Sequence, residues 1–333
     1  MDILITGGAG FIGSTIASAA LDAGHRPIVL DNLVTGRREF TAGRVFYEGD
    51  ISDRALVHRV FDENPDIAAV VHCAALIVVP DSVAHPIDYY RANVTKTIDL
   101  VETVVERGCR RLIFSSSASM YRPSDDFSVD ESSPLAPTSP YARTKMVVEG
   151  VLEDIAAATD LRVLSLRYFN PIGADPQLRT GLQLAAPSHA LGQLVDRHRA
   201  GQPFALTGVD YDTRDGSGIR DYVHVWDLAL AHVAALERFD DALAGDRHAV
   251  VNLGTGTGTT VKELVAAFEE VTGDRVEVVE HPRRPGDSAG AYTRSDRARE
   301  VLGWEARRSV QDGIADSLAW FEKRGTVLPD LAG

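Results

Sequence analysis

"TGGAGFIG", residues 6–13, follows a short apolar run, "DILIT" (2–6), and leads into a stretch with helical periodicity, "STIASAALDAG" (14–24). Strand, then glycines, then helix is the context that gives such a loop meaning. Gly7, Gly10 and Gly13 permit a tight turn and let the backbone come close to a diphosphate. The helix that follows offers unpaired N–H groups and positive potential at its start, where Phe11 and Ile12 stand. The stretch therefore predicts a dinucleotide site at the edge of an α/β sheet.

The same alternation runs outward from this loop. Apolar runs at 27–31, 44–50, 68–72, 111–117 and 161–166 resemble strands buried on both faces, as in a parallel sheet. Between them, 53–64, 90–108 and 141–159 carry apolar residues at helical spacing. The expected fold is α/β: a Rossmann-type doubly wound parallel sheet over 1–168, with a later strand–helix return around 222–254. A smaller C-terminal α/β substrate-binding domain is expected over 169–333. It contains helical stretches at 224–239 and 260–273 and a turn-rich segment, 170–189, read as functional.

Asp31 ends the second strand, where a carboxylate accepts from adenosine ribose hydroxyls and repels a 2′-phosphate. This favours NAD over NADP; Arg37 and Arg38, close behind, are the cations that argue the other way. Asp50, in "GDISD", is placed to meet the adenine amine.

Composition narrows the function classes. The chain has 333 residues, 44% hydrophobic and 25% charged, with a formal net charge of −14. So acidic a chain is a poor partner for nucleic acid or an anionic membrane. Cys73 and Cys109, its two cysteines, belong to no metal-spaced cluster, so no metal is expected. The run 67–79 is too short for a bilayer and carries His72, and no signal segment opens the sequence. A cytoplasmic protein is expected.

A second constellation lies downstream. "FSSSASMY" (114–121) leaves a central strand at its carboxyl end, where open α/β sheets bind ligands. "SPYARTK" (139–145) follows. Ser139 is a good N-cap and Pro140 suits the first helical position, which places Tyr141 and Lys145 on one face, at i and i+4.

With "LDNL", "EGDI", "RYFNPIGA", "DGSGIRDYVHVWDLA", "VNLGTG" and "PRRPGD" added, the chain resembles the extended short-chain dehydrogenase/reductases. Among them it is most similar to the UDP-galactose (UDP-glucose) 4-epimerases, over nearly its whole length. The resemblance implies NAD-dependent C4 epimerisation of a UDP-hexose through a 4-keto sugar, with NAD retained throughout. It makes Tyr141 the base, Lys145 its electrostatic partner and Ser117 the group that bonds the reacting hydroxyl. It extends the cofactor site to Asn32, Ile51, Ala74, Ala75, Asn93, Ser115 and Tyr168. For the UDP-sugar substrate it implies Ser117, Ser119, Tyr141, Asn170, Leu191, Arg220, Arg284, Asp287 and Ala291. It also implies a homodimer paired through two helices of the first half. The ammonium of Lys145, the nicotinamide cation and the helix N-terminus are all expected to favour the Tyr141 phenolate.

The sequence departs from that family in places. Ile77 follows "AAL" where a lysine is usual, His189 and Ala190 replace an asparagine pair, and Arg122 follows Tyr121 in place of glycine. Ala291 aligns with the residue beside the sugar C2 substituent, where a small side chain admits an acetamido group; a one-residue slip would put Tyr292 there. Arg122 keeps a second reading open, a 4-epimerase of a UDP-uronic or other modified sugar nucleotide. A 4,6-dehydratase is disfavoured because Ala118 and Ser119 stand where those enzymes have an Asp-Glu pair. A non-catalytic dinucleotide sensor is disfavoured by the complete set of Ser117, Tyr141 and Lys145.

Overall fold

The apolar runs become seven parallel strands in one sheet, in the order His248–Leu253, Arg162–Tyr168, Arg111–Ser117, Ile67–His72, Asp2–Thr6, Arg26–Asp31 and Val45–Glu48. The structure, a computed structural model, describes residues 1–283 and 288–331. Ile3, Leu4 and Ile5 are wholly buried, as are Ile28, Val29 and Leu30. Such continuous burial is what helices on both faces of a parallel sheet demand. The chain winds in opposite directions from Asp2–Thr6, so the crevice at the carboxyl end of that strand is the topological switch point.

On one face the helices Phe11–Asp22 and Val225–Glu237 pack against each other, so the second half returns a helix and the strand His248–Leu253 to this sheet. On the other face lie Arg54–Glu63, Lys96–Glu106 and Pro140–Ala158. The helix expected over 90–108 starts earlier, at Pro86, and is divided by a π-turn, Arg91–Thr95. That wide turn contains Asn93. The apolar run at 67–79 ends in a further short helix, Val79–Ala84, with Pro80 in its first turn.

The other part of the chain gathers Phe204, Leu264, Phe268 and Trp320 into a further core, which Phe40 joins against Trp320. The helices Ala190–Arg199, Val261–Thr272 and Val310–Val327 supply most of it. A small mixed sheet, Thr259–Thr260, Ile219–Arg220, Gly290–Thr293 and Ser128–Val129, ties this part to the loop that follows Ser117. The segment after Tyr168 begins as a strand, Asn170–Ile172, paired with Tyr222–His224.

Candidate active site

The glycine loop is built for close approach. Gly7 has φ +69°, and a Cβ there would stand 2.7 Å from the Ala74 amide nitrogen. At Gly13 a Cβ would press into the Gly7 carbonyl, whereas at Gly10 it would meet only that carbonyl, at 3.4 Å. No side chain caps the helix Phe11–Asp22, so the first-turn N–H groups near Phe11 and Ile12 are left for a ligand. Ala74 and Ala75 form the facing wall, both half-buried.

Asp31 is 7% exposed and accepts from Ala9 N at 2.9 Å and Leu33 N at 2.8 Å. Burial raises its pKa, and these two bonds offset part of the rise. Each carboxylate oxygen retains a lone pair for a ribose hydroxyl. Arg37 is engaged with Asp330 at 2.8 Å, and Arg38 is paired with Glu48 and lies over the Phe46 ring. Both cations are thus committed to partners within the chain.

Burial works against ionisation of Asp50, but bonds from Lys96, Ser52 and Asn32 prevail and hold its carboxyl at about 2. Ile51 beside it is a buried core side chain. Asn93 accepts from Leu76 N at 2.8 Å and donates to Leu76 O at 2.9 Å and to Thr144 Oγ1 at 3.1 Å. Its amide therefore holds the 73–76 loop against the helix Pro140–Ala158. These features fit a dinucleotide: a cradle without side chains, a bare helix start and a carboxylate at the far end.

The second constellation meets the first. Ser139 caps its helix, accepting from Ala142 N at 3.2 Å. Tyr141 interacts with Ser117, and Ser117 Oγ lies 2.9 Å from the exposed Ser119 Oγ. Lys145 is 4% exposed, donates to Ser115 O at 2.8 Å and lies over the Phe114 ring. Burial lowers its pKa to about 8, with Cys73 and Glu149 pulling the other way. Tyr141 departs from expectation. Burial raises its pKa, and the Ser117 bond offsets only part of that. The ammonium that was to draw the phenol down is turned to the Ser115 carbonyl.

Beneath these groups lies a polar layer of which the sequence reading named only Ser115 and Tyr168 as site residues. Ser115 Oγ lies 3.1 Å from Cys73 Sγ and 3.4 Å from His232 Nε2, and it interacts with Tyr168, whose burial pushes its phenol well up. Glu149 continues the Tyr141–Lys145 face by one more turn. It accepts from Ser116 and from Arg167, whose Nε is 3.0 Å from Glu149 Oε1. Arg167 also donates to the Tyr121 hydroxyl at 2.7 Å. The i+4 spacing from Lys145 was a usable signal for Glu149; Arg167 had none in its own strand.

The substrate-side residues are less uniform. Asn170 is half-buried, and its side chain has no partner among the described residues. Leu191 is 0% exposed and packs in the core, so only its backbone remains for a ligand. Arg220 donates to the carbonyls of Ile219 and Ala289 at 2.7 and 2.6 Å. Arg284 and Asp287 lie outside the described residues. Ala291 packs with Ala118, Tyr121, Val129 and Phe169. Tyr292 lines a cleft on the other side with Phe127, Ile219 and Gly258, as strand alternation requires.

The departures also have places. Ile77 is 57% exposed. His189 caps its helix, accepting from Gly192 N at 3.1 Å, and burial lowers its pKa to about 4. Arg122 is exposed, with its backbone bonded to Pro134.

Residues 3–254 match the model of the NAD dependent epimerase/dehydratase family. The UDP-glucose 4-epimerase of Bacillus subtilis (strain 168) is 42% identical over 332 residues, covering 96% of each chain. A crystal structure of UDP-glucose-4-epimerase from Stenotrophomonas maltophila, with bound NAD and formylated UDP-arabinopyranose, superposes with a TM-score of 0.92 at 37% identity, over 98% of this chain and 99% of that one. The UDP-Glc/GlcNAc 4-epimerase of Campylobacter jejuni gives 0.80 at 36% identity, over 97% and 99%. The chain belongs to the NAD-dependent epimerase/dehydratase family, among its UDP-glucose 4-epimerases.

Proposed function

We propose that the chain inverts C4 of UDP-hexoses, interconverting UDP-glucose and UDP-galactose. The observation that carries this reading is the convergence of Ser117, Tyr141 and Lys145 on the strand edge that also bears the glycine loop. In this reading Gly7, Gly10 and Gly13 with the first turn at Phe11 hold the cofactor diphosphate, and Asp31 holds the adenosine ribose. NAD, when bound, supplies a hydride acceptor and donor at its nicotinamide ring. Ser117 orients the sugar 4-hydroxyl, Tyr141 takes and returns its proton, and Lys145, held on the Ser115 carbonyl, keeps a positive charge in the site. The sugar is oxidised and then reduced, so the chain must keep its cofactor between the two halves.

Incubation with UDP-glucose followed by separation of the epimers tests the proposal. Formation of UDP-galactose by wild type and its loss in Tyr141→Phe is the expected result. No epimer from either protein overturns it.

We further read the site as admitting a 2-acetamido sugar, because Ala291 and Ala118 are small where they meet Tyr121 and Phe169. We also infer a homodimer in the cytoplasm. Val83, Ile87, Tyr90 and Val147 are exposed apolar side chains on helices that pack together, which is the surface such pairing needs. Among the described residues no helix is long and apolar enough to cross a membrane.

A further inference from the structure

A closed redox cycle needs a cofactor that does not leave, and the geometry points to what keeps it. This inference rests on the cofactor reading above. The loop after Asp31 is anchored from far along the chain. Gln183 donates from Nε2 to Thr35 O at 2.9 Å, and its main-chain carbonyl accepts from Arg37 Nη2 at 3.4 Å. Arg37 pairs with Asp330 at 2.8 Å. Its backbone N–H donates to Ala9 O at 2.9 Å, and Ala9 N donates to Asp31. Gly36 rests on Asp31, where a Cβ would come within 2.7 Å of Oδ1. The contacts thus run from Asp31 through Ala9, Arg37 and Gln183 to Thr35. The segment around Gln183 is itself fixed, since Leu182 O accepts from Trp320 Nε1 at 2.9 Å.

These contacts are poor cement. Gln183 is 5% exposed, yet its Oε1 is buried without a partner among the described residues. A buried amide with an unused acceptor is a costly way to stabilise a fold. The Arg37–Asp330 pair has a 54% exposed carboxylate, and such pairs contribute little to global stability. Their leverage is local. They bear on the opening of one loop, the one beside the adenosine carboxylate.

We propose that Gln183 and the Arg37–Asp330 pair form a clasp that positions loop 32–37 and slows release of NAD. They are positioning residues, acting through the loop and Asp31. The test loads wild type, Gln183→Ala and Asp330→Ala with isotope-labelled NAD and chases with excess unlabelled NAD. Release is expected to quicken by about two- to tenfold for each bond lost. Activity lost on dilution should return when NAD is added. Amide exchange should speed up in 32–37 and not in the helix Phe11–Asp22. Asp330→Ala keeps the test decisive should Gln183→Ala fold poorly, because Asp330 is at the surface. Release at the wild-type rate in Asp330→Ala overturns the clasp, as does faster release that merely tracks a lower thermal midpoint. Wild type that binds no NAD would instead remove the cofactor reading beneath it.

Discussion

The ammonium of Lys145 donates to the carbonyl oxygen of Ser115 at 2.8 Å, so the lysine is fixed to the central strand and not to the phenol one turn away. Burial holds its pKa at about 8, below the ordinary 10.5. Between those two values the unfolded chain binds more protons than the folded one, so this group makes stability rise with pH across that window. At neutral pH the buried charge is a cost. Lys145→Met should therefore abolish turnover and yet raise stability at pH 7, by up to about 3 kcal/mol if the whole shift is recovered. Thermal melts of the two proteins check this. A variant less stable than wild type would show that the bond to Ser115 outweighs the desolvation. In wild type, turnover should fall as pH rises through about 8 and the ammonium is lost.

Tyr141 sets the second expectation. Its pKa is raised by burial and only partly offset by Ser117, so the cofactor-free protein should hold a neutral phenol at pH 7. A positive nicotinamide ring would favour the phenolate. Ultraviolet titration should show one tyrosine ionising at lower pH in NAD-loaded than in NAD-free protein, with that step absent in Tyr141→Phe. Identical titrations in both states would leave the base without its activation. Tyr141→Phe should lose about 10²–10⁴ in rate and retain its fold and NAD.

Cofactor choice follows from two arginines that are already occupied. Arg37 is held by Asp330 and Arg38 by Glu48, and Asp31 would face a 2′-phosphate with negative charge. Mass analysis of the nucleotide released on denaturation should find NAD. NADP in its place would mean that one of those pairs opens.

Much of this was legible because it is local. The glycine loop, Asp31 at the end of its strand and the Tyr141–Lys145 spacing each belong to one local element, where backbone geometry leaves few choices. What was hidden is long-range. Arg37 and Arg38 read as free cations because Asp330 and Glu48 cannot be paired with them by spacing. Asn93 reads as a ligand residue until the π-turn brings its amide onto Leu76. The Tyr141 shift could not be read either, since its sign depends on how much water the folded chain removes and where the Lys145 ammonium turns.

The buried pair below the site gives a stability prediction. Arg167 and Glu149 have side chains only 6% exposed, and burial of the guanidinium is more than offset by its bonds to Glu149. Glu149→Gln leaves a buried cation short of its partner, and breaking such a pair costs about 3–5 kcal/mol. Replacing both residues by methionine should recover most of that loss. Denaturant unfolding of the single and double variants checks it. A double variant as unstable as Glu149→Gln would mean that the Tyr121 and Ser116 bonds matter more than the pair.

Ala291 carries the specificity prediction. Along Gly290–Thr293, side chains alternate between the two faces of the strand. Ala291 lies with Ala118, Tyr121 and Phe169, behind the loop that leaves Ser117. Tyr292 points the other way, where Gly258 leaves room for its ring: a Cβ on Gly258 would stand 2.7 Å from Tyr292 Cδ1. The register is held on both sides, by Arg220 opposite Ala291 and Ser128 opposite Tyr292. A one-residue slip would have to break both ladders and drive the ring into Tyr121. On the proposed reading of the sugar pocket, the side chain at its C2 wall is therefore a methyl group. UDP-GlcNAc and UDP-GalNAc should interconvert alongside UDP-glucose and UDP-galactose. Ala291→Tyr should lose the acetamido pair by at least about 10-fold in kcat/KM relative to the plain hexoses, the scale on which a filled pocket discriminates. Kinetics on both substrate pairs decide it. Equal handling of the acetamido pair by Ala291→Tyr would move the C2 substituent away from this wall, and its rejection by wild type would mean that another side chain closes the pocket.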